Sequence, residues 1–261
     1  MHLRVASIAA LCLFLSGACV EPGQTEIARG NVLASQKKFE EALAAYRRAA
    51  EAAPHKARPR ELLGHLLFDL GRSADARAAY TAALKLEPGN ALEAQIGLAR
   101  LDSEEGRYDA ALAQLNEILR QHPDNLYALL SRANVEMRRA RPGDADLAVA
   151  DTAKAMLIDP KNPSVLYTRG CSFLAAKEYE SAASAFEMLR QTHPSSPLGW
   201  YGAARLASAR GDRSATIDNL RQARSKANAL PGGWDSREVR RDPAFQFLQK
   251  DPQFAQIVNS D

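Results

Sequence analysis

Five prolines at near-constant spacing constrain this chain more than any other feature. Pro54, Pro88, Pro123, Pro160 and Pro194 close the segments EAAP, KLEP, RQHP, LIDP and QTHP, at separations of 34, 35, 37 and 34 residues. The stretches before them align as well: FEEALAAYRRAAEAAP, SADARAAYTAALKLEP, YDAALAQLNEILRQHP and YESAASAFEMLRQTHP. A period of this length marks a supersecondary unit that cannot bury its apolar face alone and must stack on its neighbours. Abundant alanine favours helix within each unit.

Six units follow, at 23–56, 57–90, 92–125, 126–162, 163–196 and 197–230, each read as helix A, a tight turn, helix B and a proline-marked exit. Position 8 is small throughout: Gly30, Gly64, Ala99, Ala133, Gly170 and Ala204. Position 20 is Ala42, Ala76, Ala111, Ala148 and Ala182, with Thr216 the exception. Small residues there let helices A and B cross closely, and anything larger overpacks at a cost of roughly 1–3 kcal/mol. Position 24 holds the large filler in most units: Tyr46, Tyr80, Leu115, Phe186 and Leu220. Position 15 is glycine in LGR, EGR and RGD (Gly71, Gly106, Gly211), where the turn favours positive φ. The fourth unit departs from the pattern. It has three extra residues around RRARPGDAD, and Arg132, Glu136 and Thr152 stand at usually apolar positions. Its core is expected to be thinner than its neighbours'.

The tail, 231–261, is no seventh unit. Asp242-Pro243 and Asp251-Pro252 are each a helix start, with the aspartate as N-cap and proline at the first helical position. Phe245, Leu248, Phe254 and Ile257 then form an apolar face, with Trp234 expected to help cover the open end of the stack.

These motifs resemble the tetratricopeptide repeat family over nearly all of the mature length, and the tail resembles the closing segment of many bacterial arrays. The resemblance implies an all-α, right-handed superhelical solenoid of six helix pairs with a C-terminal capping segment. It also implies a concave groove lined by helix A. Carried onto this sequence, the partner-binding residues are Asn31, His65, Phe68, Arg100, Tyr127, Asn134, Tyr167, Tyr201 and Arg205. The mixture of aromatics, Asn and Arg suits a peptide-reading surface. The competing reading is that Tyr127, Tyr167 and Tyr201 pack between repeats. The family's carboxylate clamp for chaperone C-termini is missing, because Ile27 and Leu130 replace its lysine beside Asn31 and Asn134.

At the N-terminus, His2 and Arg4 precede VASIAALCLFLSGA, a run of about 14 apolar or small residues. That is shorter than the roughly 20 a spanning helix needs and fits the core of an export signal over 1–18. Two cleavage readings follow. SGA suits an ordinary signal peptidase, giving a soluble periplasmic or secreted protein. LSGAC resembles the lipobox of bacterial lipoproteins, with its leucine four residues before the cysteine rather than three. The second reading is preferred: Cys19 is lipidated, residues 19–24 form a short linker, and the outer membrane is expected because Val20 and Glu21, rather than the aspartate that signals inner-membrane retention, follow the cysteine. Cys12 leaves with the signal, so Cys171 has no intrachain disulfide partner.

Catalytic signatures are missing. There is no His-Glu-x-x-His, Cys-x-x-Cys, Gly-x-Ser-x-Gly or phosphate-binding Gly-x-x-x-x-Gly-Lys. His122 and His193 precede exit prolines and mark repeat geometry, so no metal or cofactor is expected. Cys171 reads as a packing thiol. A net charge of +3 implies no polyanion by itself, and the export signal argues against nucleic acid. RRARPG and REVRR read as solvated helix ends or loops. The expected function is a non-enzymatic scaffold binding a protein or peptide in the envelope. The alternatives are a pilotin-like assembly factor for a pilus or secretion secretin, and an adaptor for cell-wall hydrolases.

Overall fold

A computed structural model describes residues 21–229 and 236–259. Six antiparallel helix pairs follow one another: α1 (Gln24–Ser35) with α2 (Phe39–Ala52), α3 (Arg58–Asp69) with α4 (Ser73–Leu86), and α5 (Leu92–Glu104) with α6 (Tyr108–Gln121). The remaining pairs are α7 (Leu126–Arg139) with α8 (Asp144–Ile158), α9 (Pro163–Ala175) with α10 (Tyr179–Thr192), and α11 (Leu198–Ala209) with α12 (Arg213–Asn228). Each helix packs on the next in sequence, and from α3 onward the first helices of neighbouring pairs also touch. The array is the solenoid that the repeat period requires. The segment expected to be an export signal, Cys19 and Trp234 lie outside the described residues.

The packing rule is visible in single side chains. All six residues at position 20, from Ala42 to Thr216, are fully buried, and so are Tyr80, Leu115 and Leu220 at position 24. Thr216 fits because its hydroxyl donates to the Asp212 carbonyl at 2.6 Å. Tyr80 is a wedge gripped from both sides. A Cβ at Gly64 would sit 2.6 Å from its ring, and one at Gly97, in the following repeat, closer still. Phe186 is held the same way between Gly170 and Gly202. The glycines of the following repeat thus join one repeat to the next, a role that the sequence reading assigned only within each repeat.

Position 15 adopts positive φ in every repeat: Lys37 (59°), Gly71 (73°), Gly106 (78°), Ala140 (52°), Lys177 (61°) and Gly211 (75°). The turn geometry is therefore common to all six, with glycine at only three. Side chains forced into this region carry roughly 1–2 kcal/mol of strain.

In the fourth repeat the apolar core is small, and two of its three polar positions, Arg132 and Thr152, are satisfied by hydrogen bonds while the Glu136 Oε2 is buried without one. Arg132 donates two hydrogen bonds to Asp151, at 2.7 and 2.6 Å, and a third to Asn116. Thr152 is fully buried and its hydroxyl meets the Ala148 carbonyl at 3.0 Å and the Ser172 hydroxyl at 3.1 Å. The RRARPG turn is a solvated loop whose charges are paired. Arg139 pairs with Asp144, while Arg139 and Arg141 both reach Asp109.

Beyond α12 come α13 (Ser236–Arg241), a 3₁₀ turn (Pro243–Leu248) and α14 (Pro252–Asn259). Asp242 accepts from the Ala244 amide at 2.9 Å, and Asp251 from the Gln253 amide at 2.8 Å. Both aspartates cap, although the first starts a 3₁₀ turn rather than an α-helix. Phe245, Leu248, Phe254 and Ile257 are buried against Ala204, Ile217 and Leu220 of the last pair. The apolar end of the stack is thereby closed.

Candidate functional site

Helices α3, α5, α7, α9 and α11 line two adjoining clefts. The first, of about 670 Å³, has His65, Arg100, Tyr127, Asn134 and Tyr167 in its wall. The second, of about 470 Å³, has Asn134, Met137, Arg138, Tyr167, Cys171 and Arg205. Asn134 and Tyr167 belong to both, so the clefts form one groove across repeats two to six. Six of the nine expected residues are brought together there. The other three are engaged elsewhere.

Asn31 is exposed on α1, and its side-chain oxygen accepts from the Tyr46 hydroxyl at 2.8 Å. Phe68 is half-buried in the core of the first repeats, with the Arg100 guanidinium 4.2 Å above its ring centre. Tyr201 is half-buried, packs edge-on to Phe245, and donates to Asp242 at 2.7 Å. That geometry makes Tyr201 an anchor for the C-terminal segment. The two oxygens of Asp242 divide their work: Oδ1 caps the 3₁₀ turn, and Oδ2 takes Tyr201.

The three tyrosines differ accordingly. Tyr127 is 60% exposed, with most of its ring in water. Tyr167 is half-buried and leans on Phe186. Arg205 lies 3.6 Å from Asp242 and approaches the Tyr167 hydroxyl and the Cys171 sulfur, each at 3.5 Å. Tyr167, Cys171, Arg205 and Asp242 therefore form a chain of contacts from the middle of the groove to its closed end.

Electrostatics define what the groove can do. Burial pushes the His65 imidazole down to about 4, and the charges of Arg100 and Arg58 push the same way. The ring is therefore neutral at pH 7, hydrogen-bonded to Tyr80 at 2.8 Å. Burial raises the Tyr167 hydroxyl and the Cys171 thiol, so both stay protonated. A protonated, buried thiol is a poor nucleophile. Among the described residues, no ion pair engages Arg100 within 4 Å, and no cluster of three His, Cys, Asp or Glu could hold a metal. The groove offers apolar contact, neutral hydrogen-bonding groups, cations and the carboxylates of Asp69 and Glu93, the repertoire of a binding surface.

Three family models described as tetratricopeptide repeat match residues 27–91, 67–133 and 164–196, together more than half of the chain. No curated protein sequence matches. Several solved structures share the fold. The thermophilic TPR protein TTC0263 of Thermus thermophilus matches with a TM-score of 0.62 at 18% identity, over 78% of this chain and 100% of that one. Pseudomonas aeruginosa PilF matches with a TM-score of 0.57 at 18% identity, over 88% of this chain and 97% of its own. PilW, described as a widely conserved type IV pilus biogenesis factor, matches with a TM-score of 0.62 at 14% identity, over 87% and 97%.

Proposed function

The chain belongs to the tetratricopeptide repeat family, and from that premise we propose that it is a non-enzymatic scaffold of the bacterial envelope. It is anchored to the outer membrane by lipid at Cys19 and binds an extended segment of a partner protein in its concave groove. The observation that carries this reading is the exposed Tyr127 at the centre of a groove spanning five repeats. A large, rigid aromatic left in water beside the cation of Arg100 is the composition of an interaction hot spot. Arg205 and Tyr201 contribute by fixing the end of the groove, while Tyr127, Asn134, Arg100 and Tyr167 face the partner.

A second reading places that partner in pilus assembly. It is supported by the match in shape to PilF and PilW over nearly the full length of each. At 18% and 14% identity that likeness is one of fold, and fold is compatible with many partners.

The test is affinity purification from membranes with the wild-type chain and a Tyr127→Ala/Arg100→Ala variant, with melting curves for both. Loss of the co-purifying partner from a variant that melts normally is expected, because hot-spot truncation costs ~2 kcal/mol or more, about thirtyfold in affinity. Full retention would move the partner off the groove. Labelled palmitate is expected in the wild type and not in Cys19→Ala; equal labelling would remove the anchor.

A further inference from the structure

The fourth and fifth repeats carry an arginine at the same place, position 7 of helix A, and treat it differently. In the fourth, Arg132 is gripped by both oxygens of Asp151, the residue just before the core position Thr152. In the fifth, the residue just before the core position Phe186 is Ala185. Arg169 therefore lacks the carboxylate that its counterpart has. Its Nη1 is sealed from water with no hydrogen-bond partner, and no carboxylate stands within 4 Å of it among the described residues. Glu178 acts on it only at longer range, and Glu180 is held by Arg210 at 2.5 Å. A guanidinium without its partner is costly to shield from water.

This arginine lines a cleft of about 460 Å³ on the opposite side of the repeat from the groove, between α8 and α10. Met156, Leu166, Phe173, Ala185 and Met188 supply its apolar wall. The guanidinium lies 4.6 Å over the Phe173 ring, which holds it flat against that wall. Met188 is 43% exposed, and Leu157, next in the chain to Met156, is 87% exposed. The result is a cation at the edge of an apolar, water-facing surface.

The geometry points to a second binding site, in which Arg169 receives the carboxylate of an acidic residue flanked by large apolar side chains on a partner protein. The incoming carboxylate takes the part that Asp151 plays for Arg132, and the flanking side chains cover Met156 and Met188. Charge complementarity selects an acidic segment, and because Nη1 is sealed the carboxylate meets Nε and Nη2, the two nitrogens with which Arg132 grips Asp151. The site is separate from the concave groove and does not depend on the groove's function.

The chain carries its own reporters. Met156 and Met188 sit in this cleft, and Met137 sits in the concave groove. With ¹³C-methyl methionine in the full chain, an acetylated, amidated Leu-Glu-Leu-Phe peptide is expected to shift the Met156 and Met188 signals and leave Met137 in place. The glutamine counterpart of that peptide is expected to bind at least tenfold more weakly, and Arg169→Gln should abolish that preference. Ala185→Asp supplies the internal carboxylate that the fourth repeat already has. It is expected to raise the melting temperature and eliminate the peptide response. Equal binding of the two peptides, a preference that survives Arg169→Gln, a shift confined to Met137, or no shift at millimolar peptide would each overturn the proposal. So would octanoate moving Met156 and Met188 where the peptide does not, which would make the cleft a lipid site.

Discussion

In the second repeat, the space between helices α3 and α4 is filled by Tyr80, with Leu67 and Ala79 buried beside it. In the fourth, the residues at the same positions are Thr152, Glu136 and Asp151, and all three are buried too. The two helix pairs share a backbone plan and differ in what holds them. An apolar wedge gains from leaving water and depends on shape. A buried network of charges gains only while every member is matched, because desolvation opposes each ion pair. Arg132, Asp151 and Thr152 meet that condition, but Glu136 does not, since its Oε2 is buried without a hydrogen-bond partner among the described residues. Repetition of a fold therefore does not mean repetition of its energetics.

The largest effect is expected where shape matters most. Tyr80→Ala removes a ring gripped between Gly64 and Gly97, so the cost should be ~3–5 kcal/mol, as for other large aromatic truncations. Thr152→Ala deletes one hydroxyl and one methyl-sized volume at the equivalent site, and should cost about 1 kcal/mol. Urea denaturation of the full chain measures both. Equal losses would mean that the two pairs are held alike.

A second expectation separates the repeats by pH. Burial and the neighbouring Asp151 raise the Glu136 carboxyl to about 7 from an ordinary value of 4.5. A raised acid binds more protons folded than unfolded, so stability falls as pH rises from about 4.5 to about 7. His65 in the second repeat does the reverse. Its imidazole is depressed from 6.5 to about 4, so the folded state binds fewer protons and stability rises with pH across that window. Each change across its window is on the order of 2 kcal/mol after allowance for partial exposure, and the two largely cancel in a global melt. They separate in site-resolved hydrogen-exchange protection. From pH 5 to 7, protection should fall in α7 and α8 and rise in α3 and α4. Glu136→Gln should flatten the first trend and leave the second. Parallel trends in the two repeats would sink the assignment.

Much of this was legible in the sequence, and the reasons it stopped are physical. Proline spacing and small residues at positions 8 and 20 are local signals, so the repeat fold could be read directly. The wedge partners Gly97 and Gly202 carry no signal in their own repeats, because each is needed by a side chain in the preceding repeat. Tyr201 reads in sequence as a groove residue for the same reason. Its partner Asp242 lies 41 residues away and already had a sufficient local explanation as a helix cap. The ion pair in the polar fourth core is not legible in sequence, because Arg132 and Asp151 are 19 residues apart and neither carries a local signal of the other. Nearest-neighbour contacts survive in sequence, whereas contacts between repeats need the helices to be assembled.

The smallest expected effect tests the one feature that the two repeats share. Their turns both adopt positive φ at position 15, at 73° for Gly71 and 52° for Ala140. The second repeat uses the residue that tolerates this conformation, and the fourth holds an alanine in it. Ala140→Gly should relieve the contact between Cβ and backbone, worth roughly 1–2 kcal/mol, and give back part of that gain through the greater freedom of glycine in the unfolded chain. A net stabilisation of about 0.5 kcal/mol is expected, read as a rise in melting temperature. Gly71→Ala should shift it the other way by about 1 kcal/mol, since no neighbouring atom crowds the new methyl and only backbone strain acts. Opposite signs at these two positions would show that the turn is energetically the same in both repeats, leaving the difference between them to their cores. If both substitutions destabilise, the Arg139–Asp144 pair beside Ala140 holds that turn in a form where the methyl contributes, and the comparison extends from the cores to the turns.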